Sequence, residues 1–372
     1  MHFRFAAPCL FGLEALVSGE LKDMGAENVA AENGRVLFEG DEHILVRANI
    51  CSRYAERILI LAGEFEARSF TELFDNVKAI AWERYIGQDD EFPVKGWSLN
   101  SDLHSIPDCQ SIIKKAIVER LKDKYKISWF DEVGPARKIA FSIMKNKVSI
   151  MIDTSGNGLH KRGYRKNSND APLKETLAAA MVYLAHIYPD STLYDPMCGS
   201  GTILIEAALL ARNIAPGLRR TFAAEKFGFI PQNIWSEERS RAIGQIKTDI
   251  PFKAVGSDID ADSVALTLEN AKKAGVGGCV TATVGNIKDF APDTERAVIV
   301  TNPPYGERLL DRSAAQEIYR IMGKVFAKKH GYKYNIISSD DEFETCFGRQ
   351  ADKRRKLYNG SLRCQLYMYF KN

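Results

Sequence analysis

Residues 298–301, Val-Ile-Val-Thr, run without a break into Asn302-Pro303-Pro304-Tyr305-Gly306. An apolar, β-branched run of this kind suits a strand covered on both faces. Proline removes a ladder donor and fixes its own φ, so the two prolines stop the strand and stiffen the backbone beyond it. A plain turn after a strand is one reading. A rigid platform for a flat substrate is the other, and the rest of the chain decides between them.

From about residue 170 onward the sequence alternates strand and helix patterns, which predicts a parallel sheet with helices on both faces. Strands are predicted at Leu193-Tyr194-Asp195, 254–258, 281–284, 297–301 and 334–338, with helices over 202–212, 262–274 and 314–329. Two further strand-like runs flank Asn359-Gly360, a tight-hairpin signal. The prediction is an α/β fold: a doubly wound, mostly parallel, seven-stranded Rossmann-like sheet closed by an antiparallel C-terminal hairpin. Residues 1 to about 165 instead mix short strands and helices in an α+β pattern. There a strand is predicted over 57–61, helices over 70–85 and 111–125, and a hairpin through Lys145-Asn146. The glycine-rich stretch Asp153–Gly158, with the basic cluster after it, marks the boundary between the halves.

Between the first predicted strand of the second half and its helix lies Asp195-Pro196-Met197-Cys198-Gly199-Ser200-Gly201. Glycines permit positive φ and close approach of a ligand to the backbone. The helix N-terminus behind them favours an anionic group. The third glycine of a dinucleotide fingerprint is replaced by Leu204, and no Gly-Lys-Ser/Thr comes after it, so neither a nicotinamide site nor a P-loop is predicted. A nucleoside ligand whose only anion is a carboxylate suits the turn, and S-adenosyl-L-methionine fits that description. Asp258, with Ile259 beside it, ends the next strand where a carboxylate can accept both ribose hydroxyls. Of Asp260 and Asp262 nearby, Asp262 is read as the one that caps the following helix, from its first turn. Asn286 ends the third strand with an amide suited to an adenine edge.

The fourth strand brings Asn302-Pro303-Pro304-Tyr305 to the same sheet edge. An exocyclic amine on a nucleobase is a poor nucleophile because its lone pair is delocalised into the ring. The Asn302 side-chain carbonyl and the Pro303 backbone carbonyl can accept both N–H bonds and favour a pyramidal nitrogen. Tyr305 can stack on an extruded base. Positioning then carries much of the rate, with no metal and no covalent nucleophile.

Composition removes other classes. No apolar run reaches the length of about 18 that a membrane helix needs, and Glu14 and Glu20 interrupt the N-terminal apolar patch, so no signal peptide is predicted. Seven cysteines without a C-x-x-C pair favour reduced thiols in a cytoplasmic protein, and no H-E-x-x-H spacing supports a metal. A net charge of +3 decides little; local clusters at His160–Lys166 and Lys353–Lys356 carry more information.

In the order glycine turn, Asp258, Asn286, Asn302-Pro303-Pro304-Tyr305, the chain resembles class I S-adenosylmethionine-dependent methyltransferases that modify exocyclic amines. Leu159–Arg165, Ala171–Ala178 and Asn213-Ile214-Ala215-Pro216-Gly217 resemble the junction of THUMP-domain RNA methyltransferases. Gly12-Leu13-Glu14 is similar to the start of that family's ferredoxin-like segment. The resemblance implies three parts: a ferredoxin-like segment over 1–65, a THUMP RNA-binding domain over 66–165 and a class I methyltransferase domain over 166–372. It implies transfer of methyl to guanine N2 in 23S rRNA, with tRNA as the alternative target; some relatives carry a second methyltransferase domain, and this chain is expected to depart from them in having a single one. It assigns Lys161, Arg162 and Arg165 to RNA phosphates, with Glu307 and Arg308 as candidates for reading the base. The rivals are an adenine-N6 DNA methyltransferase, whose target presents the same kind of amine, and an RNA-binding assembly factor with a vestigial cofactor site.

Overall fold

The computed structural model describes residues 1–165, 173–187, 191–305, 312–326 and 328–371. Lys166, Ala171, Pro172, Gly306, Glu307 and Arg308, named above, lie outside them.

The first half runs β1 (Phe3–Pro8), α1 (Glu14–Asp23), β2 (Glu27–Glu32), β3 (Arg35–Gly40), α2 (Glu42–Cys51) and β4 (Leu59–Glu66). It continues with α3 (Phe70–Ala79), β5 (Val94–Leu99), α4 (Ile106–Tyr125), β6 (Ile139–Met144) and β7 (Lys147–Asp153). All seven strands form one sheet, ordered β2-β3-β1-β4-β7-β6-β5. Only the β5–β6 pairing is parallel. β4 is the seam, pairing with β1 through Ile60 and Leu59 and with β7 along its length. The boundary predicted near residue 65 therefore falls at the end of a strand shared by both segments. α3 stops at Ala79 rather than Tyr85 because Ile80 turns extended and the chain wraps the buried Trp82, whose indole N–H donates to the Val77 carbonyl. α4 starts earlier than the sequence pattern suggests, with Pro107 tolerated in its first turn. The Lys145-Asn146 turn has both residues at positive φ, as a tight hairpin needs.

The second half runs α5 (Glu175–Leu184), β8 (Thr192–Asp195), α6 (Thr202–Ala211), α7 (Gln232–Gly244), β9 (Lys253–Asp258), α8 (Ala261–Ala274) and β10 (Val280–Val284). Then come β11 (Ala297–Thr301), α9 (Arg312–Val325), β12 (Tyr332–Ser338), α10 (Phe343–Phe347), β13 (Lys353–Asn359) and β14 (Leu362–Tyr369). The sheet order is β10-β9-β8-β11-β12-β14-β13, parallel except for β14 against β12 and β13 against β14. The carboxyl ends of β8 to β11 therefore share one edge. α8 is capped by Asp260 and not by Asp262: the Asp260 side chain accepts from the Asp262 and Ser263 amides, while Asp262 lies inside the first turn with its own amide taken up by that cap. The last hairpin turns one residue later than Asn359-Gly360 predicts: Asn359 pairs with Leu362, leaving Gly360 and Ser361 as the turn.

The halves meet through buried polar groups. The glycine-rich boundary is held by Arg57, which donates to Asp153 and the Gly156 carbonyl, and by Arg220, which donates to the carbonyls of Asn157, Gly158 and Lys161. Glu206 is the one carboxylate of α6 and is fully buried. A buried charge needs a partner, and Arg162 supplies it. The Arg162 guanidinium lies 3.4 Å from Glu206 and donates to the Leu159 and Arg53 carbonyls, while the Tyr164 hydroxyl also reaches Glu206 at 3.2 Å. Arg162 is 3% exposed, which overturns its assignment to RNA phosphates. Arg165 is likewise turned inward, donating to Thr202 Oγ1 at 2.7 Å and pairing with Glu175. Of the three, Lys161 faces solvent.

Arg162→Met leaves Glu206 buried without its cation, so urea unfolding should show a loss of about 3–5 kcal/mol. Lys161→Ala should stay within about 0.5 kcal/mol of wild type.

Candidate active site

A cavity of about 500 Å³ opens at the carboxyl ends of β8, β9, β10 and β11. Asp195, Pro196, Met197, Cys198, Gly199, Ser200, Asp258, Ile259 and Asn286 line one part of it, and Asn302, Pro303, Pro304 and Tyr305 line another. Of the residues read from sequence as cofactor-binding or catalytic, Gly201 stands behind the wall rather than in it.

The turn after β8 is built by its glycines. Gly199 has φ +52, and a Cβ there would meet nothing within 4 Å, so its lack of a side chain leaves the cavity open. Gly201 has φ +80 and caps α6; a Cβ there would run into Thr267 at 2.7 Å. The turn is pinned from its neighbours. Asp258 accepts the Gly199 amide at 2.8 Å through one oxygen and the Asp260 amide at 3.1 Å through the other. From α8, Thr267 donates to the Gly199 carbonyl at 2.7 Å and Asn270 to the Ser200 carbonyl at 3.1 Å. Sequence reasoning missed Thr267 and Asn270. Their signal is two polar residues on the buried stripe that also holds Val264, Ala271 and Ala274.

Asp195 is 2% exposed. Burial, with the Asp258 carboxylate adding to it, pushes its acid up to about 7. Such a group is stabilised by an incoming cation. Burial first and the Asp195 charge next push the Cys198 thiol up to about 12, so it stays protonated and is no nucleophile. The Asn286 carbonyl oxygen accepts the Lys288 amide at 3.0 Å, and among the described residues its NH₂ group has no acceptor. Ile259 is 73% exposed and lines the cavity, an apolar side chain open to it.

On the other wall, the Asn302 side-chain oxygen is buried and, among the described residues, has no hydrogen-bond partner. An acceptor left so costs about 1–3 kcal/mol, which a ligand N–H would recover. The Pro304 carbonyl accepts from the Tyr319 hydroxyl at 3.4 Å, and that hydroxyl accepts from Ser338 at 3.1 Å. Tyr305 is 7% exposed, and its hydroxyl accepts from the Asn359 amide at 2.6 Å. Its ring is a tied wall of the cavity rather than an open shelf. Among the described residues no group of three His, Cys, Asp or Glu could hold a metal ion, and no helix is long and apolar enough to cross a membrane.

Comparison with known proteins gives concordant matches. Residues 162–368 match the RMKL-like methyltransferase domain, 4–59 the RlmL ferredoxin-like domain and 67–153 the THUMP domain. YpsC of Bacillus subtilis (strain 168), provisionally named an RNA methyltransferase, is 42% identical over 99% of this chain and 96% of its own length. The ribosomal RNA large subunit methyltransferase K/L of Psychromonas ingrahamii is 35% identical over 97% of this chain, which spans 49% of that protein. SMU.472, provisionally named a methyltransferase and solved in complex with SAH, has a TM-score of 0.94 at 41% identity, covering 100% of this chain and 98% of its own. A Listeria monocytogenes (str. 4b F2365) structure bearing the name predicted N6-adenine-specific DNA methylase has a TM-score of 0.94 at 44% identity, covering 100% and 97%.

As the counter-charge expected for a cationic ligand in this cavity, Asp195 would act in its ionised form. Affinity for S-adenosyl-L-methionine should therefore rise as pH climbs through about 7 and level off above it. Below that the loss approaches about tenfold per pH unit. Calorimetry on wild type and Asp195→Asn separates this from the ligand's own titration: the variant should bind weakly and lack that component.

Proposed function

The chain belongs to the RMKL-like methyltransferase family, with ferredoxin-like and THUMP segments ahead of the catalytic unit, and we propose that it methylates the exocyclic N2 amine of a guanine in structured RNA, 23S rRNA foremost. The methyl donor in this reading is S-adenosyl-L-methionine. The observation that carries the reading is the unpartnered, buried acceptor of Asn302 in the same cavity as the two carboxylates Asp195 and Asp258.

The residues suit the donor. Asp195, buried and without a cation acting on it, is the counter-charge for a cationic ligand. Asp258 has lone pairs left for ribose hydroxyls after accepting two amides. The free NH₂ of Asn286 and the exposed Ile259 suit an adenine edge and face. When bound, S-adenosyl-L-methionine supplies an electrophilic methyl group on a positively charged sulfur.

The chain's own part is to prepare the amine. Asn302 Oδ1 and the Pro303 carbonyl accept its two N–H bonds, so the lone pair is drawn out of conjugation with the ring and aimed along one direction. Among the described residues no donor occupies the Pro303 carbonyl, and proline brings no N–H to compete. The Tyr305 ring supports the face of an extruded base. The nitrogen's lone pair would take the methyl group that the donor supplies, S-adenosylhomocysteine would leave, and the proton held at Asn302 Oδ1 or the Pro303 carbonyl would pass to solvent water. Orientation supplies most of the acceleration, consistent with a protonated Cys198.

RNA as the polymer is supported by the THUMP match and by the names of YpsC and the K/L enzyme. We assign residues 66–165 to RNA binding, with Lys161 as its solvent-facing cation at the junction. The cytoplasm is the compartment this substrate implies. A second reading, adenine N6 in DNA, is favoured by the Listeria structure's name and meets the same Asn302 acceptor.

Purified protein with labelled cofactor and either total RNA or DNA should place label in RNA, as N2-methylguanosine. Asn302→Ala should lower transfer by roughly a hundredfold, with S-adenosylhomocysteine affinity changed less than about threefold. Label confined to DNA, or an Asn302→Ala rate equal to wild type, would overturn the assignment.

A further inference from the structure

Asparagine before glycine in a hairpin has a usual reason: it tolerates the left-handed backbone that a tight turn requires. Asn359 has no such duty. It is the last paired residue of β13, opposite Leu362, and the turn is made by Gly360 and Ser361. Gly360 has φ +68, whereas Asn359 is not in the left-handed region. The residue before such a turn is free of special backbone demands. Yet Asn359 is 4% exposed, and a buried amide needs partners. Its NH₂ group donates to the Tyr305 hydroxyl, a contact made across 54 positions of sequence.

The other end of that contact is the proposed amine platform. Thr301 is held in the ladder opposite Ile336, so the platform's near end is fixed by β11 and β12. Its middle is held where Tyr319 donates to the Pro304 carbonyl. The far end, Tyr305, is tied to β13 by Asn359. Between these anchors lie the Asn302 amide and the Pro303 carbonyl, on a backbone stiffened by two prolines. With the hydroxyl end of Tyr305 tied, the ring cannot swing without breaking a buried hydrogen bond.

We propose that Asn359 is a positioning residue for methyl transfer: through the Tyr305 hydroxyl it holds the Asn302–Tyr305 platform in place without touching substrate or cofactor. The inference rests on the function proposed above. It gives the C-terminal hairpin a role in the chemistry beyond closing the sheet.

The test is a double-mutant cycle on purified protein with labelled S-adenosyl-L-methionine and RNA. Asn359→Leu and Tyr305→Phe each remove the bond; the second deletes one oxygen but leaves the Asn359 amide without that acceptor, so urea unfolding of each variant is measured beside its kinetics. Each should lower kcat roughly tenfold to a hundredfold. KM for RNA and affinity for S-adenosylhomocysteine should change less than about threefold. The double variant should be no slower than either single one, because both remove one interaction. Asn359→Asp should keep most of the rate, since a carboxylate can accept from the same hydroxyl. Losses that multiply in the double variant, or an Asn359→Leu kcat equal to wild type, would overturn the inference. Wild-type protein that transfers no methyl to RNA would instead overturn the function on which it rests.

Discussion

A carboxylate at the end of one strand accepts the backbone amide of the glycine turn on the next, Asp258 to Gly199 at 2.8 Å, and the cavity depends on it. It fixes the left-handed residue of the turn against β9, while Thr267 and Asn270 hold the turn's carbonyls from α8. The cost of this arrangement falls on Asp195, a second carboxylate kept within reach of the first and away from water, whose acid rises to about 7. In the proposed function this raised, buried acid is the receptor for a cationic cofactor. The same logic operates on the opposite wall, where Asn302 keeps a buried oxygen unpaired. In the proposed function, binding free energy on both walls is thereby reserved for the two substrates.

The helix that starts at this turn also fixes the two halves of the protein to each other. α6 begins behind Gly201 and, one turn on, presents Glu206 to Arg162 and Tyr164 of the junction. α2 meets α7 through Arg47, which forms a two-pronged bond with Glu238 at 2.9 and 2.6 Å. Despite its burial, Arg47 and Arg241 hold Glu238 down to about 2. At the far edge, Gly12 at φ +92 lies so close to the Lys356 carbonyl that a Cβ would come within 2.7 Å of it. These contacts make the first half a fixed arm rather than a tethered one. In the proposed function such an arm sets how far from the cavity an RNA is gripped.

The parallel sheet was legible because its strands and helices differ in period and because Asn302-Pro303-Pro304 can only end a strand. The glycine turn, Asp258 and Asn302 were legible because their chemistry is local. Other features depend on partners distant in sequence. Arg162 reads as part of a basic surface cluster, and its burial comes from Glu206, 44 positions on. A lone carboxylate in the apolar run Ile203–Leu210 was the available sign of a buried ion pair. α5 escaped notice because it is apolar nearly all round and shows no helical stripe; α7 escaped for the opposite reason, being mostly polar. Asn359 reads as a turn residue because the dipeptide is a turn signal, and only the register of β13 against β14 shows that the turn lies one residue on.

The central claim, methyl transfer to guanine N2 in RNA, is tested most directly by mass-spectrometric mapping of rRNA, tRNA and DNA from cells with and without the protein. One N2-methylguanosine in 23S rRNA should disappear without it and return with the wild-type chain but not with Asn302→Ala. Unchanged N2-methylguanosine in every RNA, together with loss of N6-methyladenine from DNA, would contradict the claim.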